Sequence, residues 1–323
     1  DWSSDVCSSD LRERRALLLS PTASGKSFII YLLTRYYNAR TLIIVPTTSL
    51  VSQLASDFSD YGFVSDRFVH RIFAGQDKQT DKPITISTWQ SIYKMPKEYF
   101  QQFDYVICDE VHQAQAKALS EIVSKCSKAQ YRLGVTGTLS GAKAHEWVLM
   151  GLFGQVYKAT TSKELMDKKQ LAELQIKCLL LKYSEEECDY MKAASYQQEI
   201  DYIIANTSRN NFIVNLALSL EGNTLLLFNY VEKHGSILYD MLNKRVKQGR
   251  KVFFIHGGTD VEDREQIRRI VETERDAIIV GSVGVLSTGT NIVALDNVIF
   301  ASPSKSKIRN LQSIGRGLRV SDT

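Results

Sequence analysis

Three short stretches combine residue types and spacings that could carry phosphate chemistry. The first, SPTASGKS from Ser20 to Ser27, follows the apolar run Arg15 to Leu19 and leads into a helical pattern. A strand, a glycine-containing turn and a helix start together aim backbone N–H groups and a partial positive charge at an anion. In that arrangement Lys26 would reach the β- and γ-phosphates of a nucleotide and Ser27 would ligate Mg²⁺. Gly25 would let the backbone approach, with Thr22 and Ser24 in the same loop. The strict pattern GxxxxGK[ST] fails at its first position, where Ser20 stands, so an ordinary strand-to-helix turn stays open as the alternative.

The second stretch is CDEVHQ, at the end of an apolar run beginning at Asp104. Ligand sites of parallel α/β sheets lie at the carboxyl ends of strands, so Asp109 and Glu110 there suit a metal-associated hydrolytic site. Asp109 would hold Mg²⁺ directly or through water, and Glu110 would orient and deprotonate the attacking water. The competing reading is a helix start made favourable by acids, worth about 0.3–1 kcal/mol.

The third is QSIGRGLR, in which Gln312, Gly315, Arg316 and Arg319 form Q-x-x-G-R-x-x-R. Two arginines three apart share a helix face and could clamp a γ-phosphate as charge spreads over its oxygens. A basic helix face meeting solvent or phosphodiesters is the plainer reading. Lys305, Lys307 and Arg309 lie in the same acid-free stretch and add possible phosphate contacts.

The elements that must position these residues follow from hydrophobic periodicity. Strand-like runs at Arg15–Leu19, Thr41–Val45, Pro83–Ser87, Asp104–Cys108 and Tyr131–Val135 alternate with amphipathic helices at Lys26–Tyr37, Ser49–Phe58 and Ala116–Cys126. That alternation predicts a doubly wound parallel sheet. From Thr161 to about Ser208 the rhythm changes, with a long run Leu174–Tyr183 and an acidic patch Glu185–Asp189. A second series then places strands at Thr224–Phe228, Val252–Ile255, Ala277–Val280 and Asn297–Phe300, with a helix over Val261–Thr273. The expected division is 12–160 for one domain, 161–207 for a connection and 208–323 for a second domain, and the 323-residue length suits two domains.

Composition sets the outer limits. No apolar run approaches the roughly 18 residues a spanning helix needs, so no membrane partner is expected. The five cysteines show neither CxxC nor zinc spacing and read as reduced thiols of a cytoplasmic protein. Residues 1–11, DWSSDVCSSDL, lack periodicity, resemble translated sequencing-adapter sequence and are set aside as a non-native tail. Without Asp1, Asp5 and Asp10 the net charge rises from +4 to +7, which permits a polyanionic partner without requiring one.

In this order, the loop ending in Gly-Lys-Ser, the DEVH stretch and QxxGRxxR resemble motifs I, II and VI of the superfamily 2 DEAD/DEAH-like helicases. VPTTSLVSQ, STWQSI, TGT and LSTGTNI are similar to motifs Ia, Ic, III and V. The runs IIVPTTSL, TWQS, GLFGQVYKATTSKELMD and KSKIRNLQSIGRGLR point further, to the recombination DNA helicases within that family. The resemblance implies two tandem RecA-like domains with an ATP cleft between them, ATP and Mg²⁺ as cofactors, and a monomeric motor. It makes His112, Gln312, Arg316 and Arg319 catalytic beside Glu110, adds Gly289 and Asn291 to the ATP site, and has His112, with Thr136 and Thr138, couple that site to the second domain. It implies phosphate-directed DNA contacts at Pro46, Thr47, Thr48, Thr88, Trp89, His256 and Gly257, of which Trp89 and His256 read equally as packing residues. Branched or single-stranded DNA is the expected partner. Alternatives are translocation on duplex DNA or action on RNA without strand separation, and a non-hydrolysing ATP-gated binding module. Thr48 stands where many relatives carry Arg, and Asn291 where many carry Asp.

Overall fold

The computed structural model describes residues 14–21, 24–73, 77–113, 116–139, 143–286 and 295–302. Contacts divide the chain into two compact units, Asp1–Gln170 and Leu171–Thr323.

In the first unit seven strands form one parallel sheet in the order β3-β4-β2-β5-β6-β1-β7. They are β1 (Arg15–Leu19), β2 (Thr41–Val45), β3 (Val69–Ile72), β4 (Ile84–Thr88), β5 (Tyr105–Cys108), β6 (Tyr131–Thr136) and β7 (Val156–Lys158). All five residues of β2 are buried, as befits a central strand covered on both faces. Side chains alternate across the sheet. Ala16, Leu18 and Ile43 pack with Ile30, Leu33, Leu54 and Phe58 of helices α1 (Lys26–Tyr37) and α2 (Thr48–Asp60). Leu17, Leu42 and Val106 face the other way, onto Leu119, Ile122, Leu149 and Phe153 of α3 (Ala116–Lys125) and α4 (Lys143–Phe153).

The second unit repeats the plan with four parallel strands in the order β11-β8-β10-β9. These are β8 (Thr224–Phe228), β9 (Val252–Ile255), β10 (Ile278–Ser282) and β11 (Asn297–Phe300). One face carries α5 (Thr207–Ser219) and α6 (Ser236–Arg245) through Val214, Ala217, Leu238 and Leu242. The other meets Val271 of α7 (Val261–Thr273) together with Val283 and Leu286. A polar cluster lies inside this unit: buried His234 donates from Nε2 to Asn210 Oδ1 at 3.1 Å, and its Nδ1 accepts from Ser302 Oγ at 3.0 Å. Burial, and then Arg209 nearby, push this imidazole down to about 4, which keeps it neutral and fixes that pattern of donors.

The observed elements differ from the expectations in instructive places. β3 and β7 had no sequence signal, because both are short edge strands with only partial burial. The strand expected at Pro83 begins at Ile84; Pro83 contributes its carbonyl, which accepts from Thr41 N at 2.9 Å. The acidic patch is the start of a short helix, Glu185–Met191, closed by a Ser184–Glu187 capping box. The run Leu174–Tyr183 forms neither helix nor strand, and Ile176, Leu179 and Leu180 are exposed. No helix among the described residues is long and apolar enough to cross a membrane. Cys108, Cys126, Cys178 and Cys188 are free thiols, and Cys7 and the 1–11 tail lie outside the described residues.

Candidate active site

The strand order of the first sheet assembles the site. β6 lies between β1 and β5, so the residues leaving the carboxyl ends of β1, β6 and β5 meet: Ser20, Thr136 and Asp109. Ser20 N donates to Thr136 O at 2.9 Å, and Asp109 N donates to Ile44 O of β2 at 2.9 Å.

The loop after β1 is held by its own serines. Ser24 Oγ donates to Pro21 O at 2.6 Å, which leaves Ser24 Oγ to accept from buried Ser20 Oγ at 2.5 Å. Ser20, which stands where the strict pattern has its first glycine, therefore turns its side chain onto Ser24. Gly25 adopts φ 79° as the N-cap of α1, a left-handed conformation that favours glycine. Lys26 folds back over the loop: its Nζ donates to Pro21 O at 3.2 Å and Ser20 O at 3.4 Å, and lies 3.7 Å from Glu110 Oε1. Ser27 Oγ shares a 3.0 Å hydrogen bond with the Tyr61 hydroxyl.

At the end of β5, Asp109 Oδ1 accepts from Glu110 N at 2.8 Å. Protein atoms enclose the Asp109 carboxyl although the residue keeps some exposed surface. Burial first, and then the Glu110 carboxylate, push Asp109 up to about 7, against the opposing pull of Lys26. Glu110 has φ 48°, a left-handed backbone costing on the order of 1–3 kcal/mol for a non-glycine residue. That geometry turns its side chain toward Lys26, and Glu110 Oε2 is buried without a hydrogen-bond partner. His112 Nδ1 lies 2.6 Å from Thr136 Oγ1 and 3.4 Å from Glu110 Oε2. Thr136 Oγ1 donates its own proton to Thr138 O at 2.8 Å, so the shorter contact requires Nδ1–H to be the donor. Burial holds His112 below the usual histidine range, outweighing Glu110.

Lys26, Asp109, Glu110, His112, Thr136 and Thr138 thus form one cluster, with Ser24, Gly25 and Ser27 along its rim. Pro46 is buried and its carbonyl accepts from Gln90 Nε2 at 3.5 Å; Thr47 caps α2 through Leu50 N; Thr48 is exposed. Thr88 is buried, with its hydroxyl bonded to Ser91 Oγ at 2.8 Å, and Trp89 packs half-buried near Tyr93. In the second unit His256 Nδ1 accepts from Gly258 N at 3.1 Å, its ring lies 5.0 Å from Phe254, and Gly257 is exposed. Thr22, Gly289, Asn291, Gln312, Arg316 and Arg319 lie outside the described residues, as do Lys305, Lys307 and Arg309. Residue-level reasoning missed Tyr61 and the inward serine pair, since 34 positions separate Tyr61 from Ser27 and no local pattern links them.

Known proteins resemble the chain in both of its halves. Residues 4–141 match the family described as type III restriction enzyme, res subunit, and residues 208–321 match the helicase conserved C-terminal domain. The chain is 37% identical over 329 residues to the ATP-dependent DNA helicase uvsW of Enterobacteria phage T4, covering 98% of this chain and 65% of that protein. Over nearly its whole length the chain is thus similar to an ATP-dependent DNA helicase, and its second half to a helicase C-terminal domain. It is also 24% identical over 354 residues to the DNA 3'-5' translocase XPB2 of Sulfurisphaera tokodaii, covering 100% of this chain and 79% of that protein. The crystal structure of DUF1998 helicase MrfA bound to DNA shares the fold, with a TM-score of 0.71 at 14% identity over 98% of this chain and 47% of that one. The chain spans a little under two thirds of the phage relative's length.

Proposed function

We propose that this chain is an ATP-hydrolysing DNA motor that unwinds or remodels branched DNA such as forks and recombination junctions. The observation that carries the proposal is the convergence of Lys26, Asp109 and Glu110 at one sheet edge, with the Lys26 ammonium 3.7 Å from Glu110. Lys26 offsets phosphate charge, while Glu110, whose Oε2 lacks a hydrogen-bond partner, orients the attacking water and takes its proton. His112, held neutral, and Thr136 and Thr138 relay the state of this site toward the second domain.

The residues present fit a divalent cation. The Asp109 carboxyl is enclosed beside a second carboxylate, a place where added positive charge favours ionisation. Asp109 and Ser27 would hold Mg²⁺. Among the described residues no group of three or more histidines, cysteines or acids is placed to bind a metal, so the remaining ligands would come from nucleotide phosphates and water. When bound, the cation neutralises charge on the β- and γ-phosphates. Gly289 and Asn291 are assigned to ATP, and Gln312, Arg316 and Arg319 to catalysis, on the strength of the motifs. DNA contacts at Pro46, Thr47, Thr48, Thr88, Trp89, His256 and Gly257 would be made mainly to phosphates, with Thr88 offering backbone because its side chain is buried.

Phosphate release with and without DNA, paired with strand displacement on forked DNA, tests the proposal. DNA-stimulated release and fork unwinding are expected, and Lys26→Ala is expected to abolish both. A parent chain that binds ATP but releases no phosphate would leave an ATP-gated binding module. Release without strand separation would favour translocation, the activity named for the XPB2 relative.

A further inference from the structure

The face of α1 beside the phosphate loop carries an exposed ring that the chemistry above does not use. Phe28 directly follows Lys26 and Ser27, in the first turn of α1, and is 44% exposed. Tyr61, at the end of α2, meets it edge-on with ring centroids 5.0 Å apart and an interplanar angle of 74°. The Tyr61 hydroxyl also lies 3.0 Å from Ser27 Oγ, so the aromatic surface and the proposed phosphate site adjoin. Behind them Tyr31 donates to Tyr61 O at 3.4 Å and packs 5.3 Å from Phe58, which is fully buried. The ring is therefore backed by a fixed aromatic layer anchored in the core and keeps open surface outward.

We propose that Phe28, buttressed by Tyr61, is the surface on which the base of the bound nucleoside triphosphate stacks. This rests on the reading of Gly25, Lys26 and Ser27 as the phosphate cradle. The occupant follows from covalent continuity: a triphosphate held at the start of α1 carries its ribose and base within reach of the same helical turn. An exposed aromatic ring beside that point gains when a flat heterocycle covers it. Stacking uses the face of the base and none of its edges, so the platform serves adenine and guanine alike.

Calorimetric titration of the full chain with Mg·ATP, Mg·GTP and Mg·tripolyphosphate tests the proposal. Phe28→Ala is expected to weaken ATP and GTP by about 5- to 150-fold, the range of one base–aromatic stack, and to leave tripolyphosphate unchanged. Phe28→Trp should retain ATP affinity, and Tyr36→Ala, further along the same exposed face, should not alter it. Unchanged ATP affinity in Phe28→Ala, or an equal loss for tripolyphosphate, overturns the base platform while leaving the phosphate cradle standing. If the parent chain binds neither ATP nor tripolyphosphate, the cradle itself fails and the platform with it.

Discussion

At the scale of single residues, the site sets two carboxylates of different character side by side. Glu110 is held in a left-handed backbone facing Lys26, whereas Asp109 is enclosed and raised to about 7. Glu110→Gln preserves shape and removes the proposed base, so phosphate release should fall by about 10²- to 10⁴-fold while equilibrium binding of Mg·ATP persists. A collapse of nucleotide affinity with turnover retained would make Glu110 a binding ligand instead. Asp109 makes a separate prediction about stability. A carboxyl raised on folding stabilises the fold below its unfolded value of about 3.9, and that contribution is lost as pH rises through about 7. Without nucleotide or Mg²⁺, Asp109→Asn should therefore unfold at a higher urea concentration than the parent at pH 8. At pH 4 the advantage should vanish, and an advantage independent of pH would show that burial does not strain this carboxylate.

Among the elements, β6 has the most demanding place, because it separates the loop after β1 from the acids after β5. Its Gly134 makes close packing possible: a Cβ there would lie 2.8 Å from Leu17 Cδ1 and 2.9 Å from the Phe153 ring. Gly134→Ala should cost about 1–3 kcal/mol through overpacking, read as a lowered urea midpoint. Leu17 belongs to the strand that delivers the proposed phosphate loop, so ATP affinity should fall in the same variant, and Phe153→Leu should restore part of both. If Gly134→Ala unfolds like the parent, the sheet yields at this point and β6 does not hold the two edges in register.

For the whole molecule, the catalytic role proposed for Arg316 is tested separately, since Arg316 stands 206 positions beyond Glu110 and 290 beyond Lys26 in the chain. If Arg316 acts on the γ-phosphate during transfer, Arg316→Ala should leave ATP bound yet slow its hydrolysis by about 10³- to 10⁵-fold at saturating DNA. Arg316→Lys should not rescue it, because an ammonium lacks the planar fork. Equilibrium ATP binding and phosphate release on one preparation check this, and turnover within a few-fold of the parent would leave QSIGRGLR without a part in the chemistry. DNA held mainly through phosphates should lose affinity steeply with salt and vary little with base sequence. Titrations of labelled forks across salt concentrations measure both.

The sequence alone was enough to determine what depends on neighbouring residues. Alternating apolar runs specify two parallel α/β sheets, since each strand and helix buries one pattern of side chains. Because Asp109–Glu110 follows directly on one strand, and Lys26–Ser27 opens the helix after the short loop from another, their position at the carboxyl edge comes with the strands. The edge strands β3 and β7 were illegible, being short and only partly buried. Tertiary structure decided what depends on strand order and on contacts between distant segments. Placing β6 between β1 and β5 brings Thr136 to 2.6 Å from His112, a contact that family resemblance suggested and spacing could not. The same packing turns Ser20 inward onto Ser24, so that a loop departing from the strict glycine pattern still closes, and sets Tyr61 beside Ser27. These contacts arise from the packing of helices and strands far apart in the chain, and no window of local sequence encodes them.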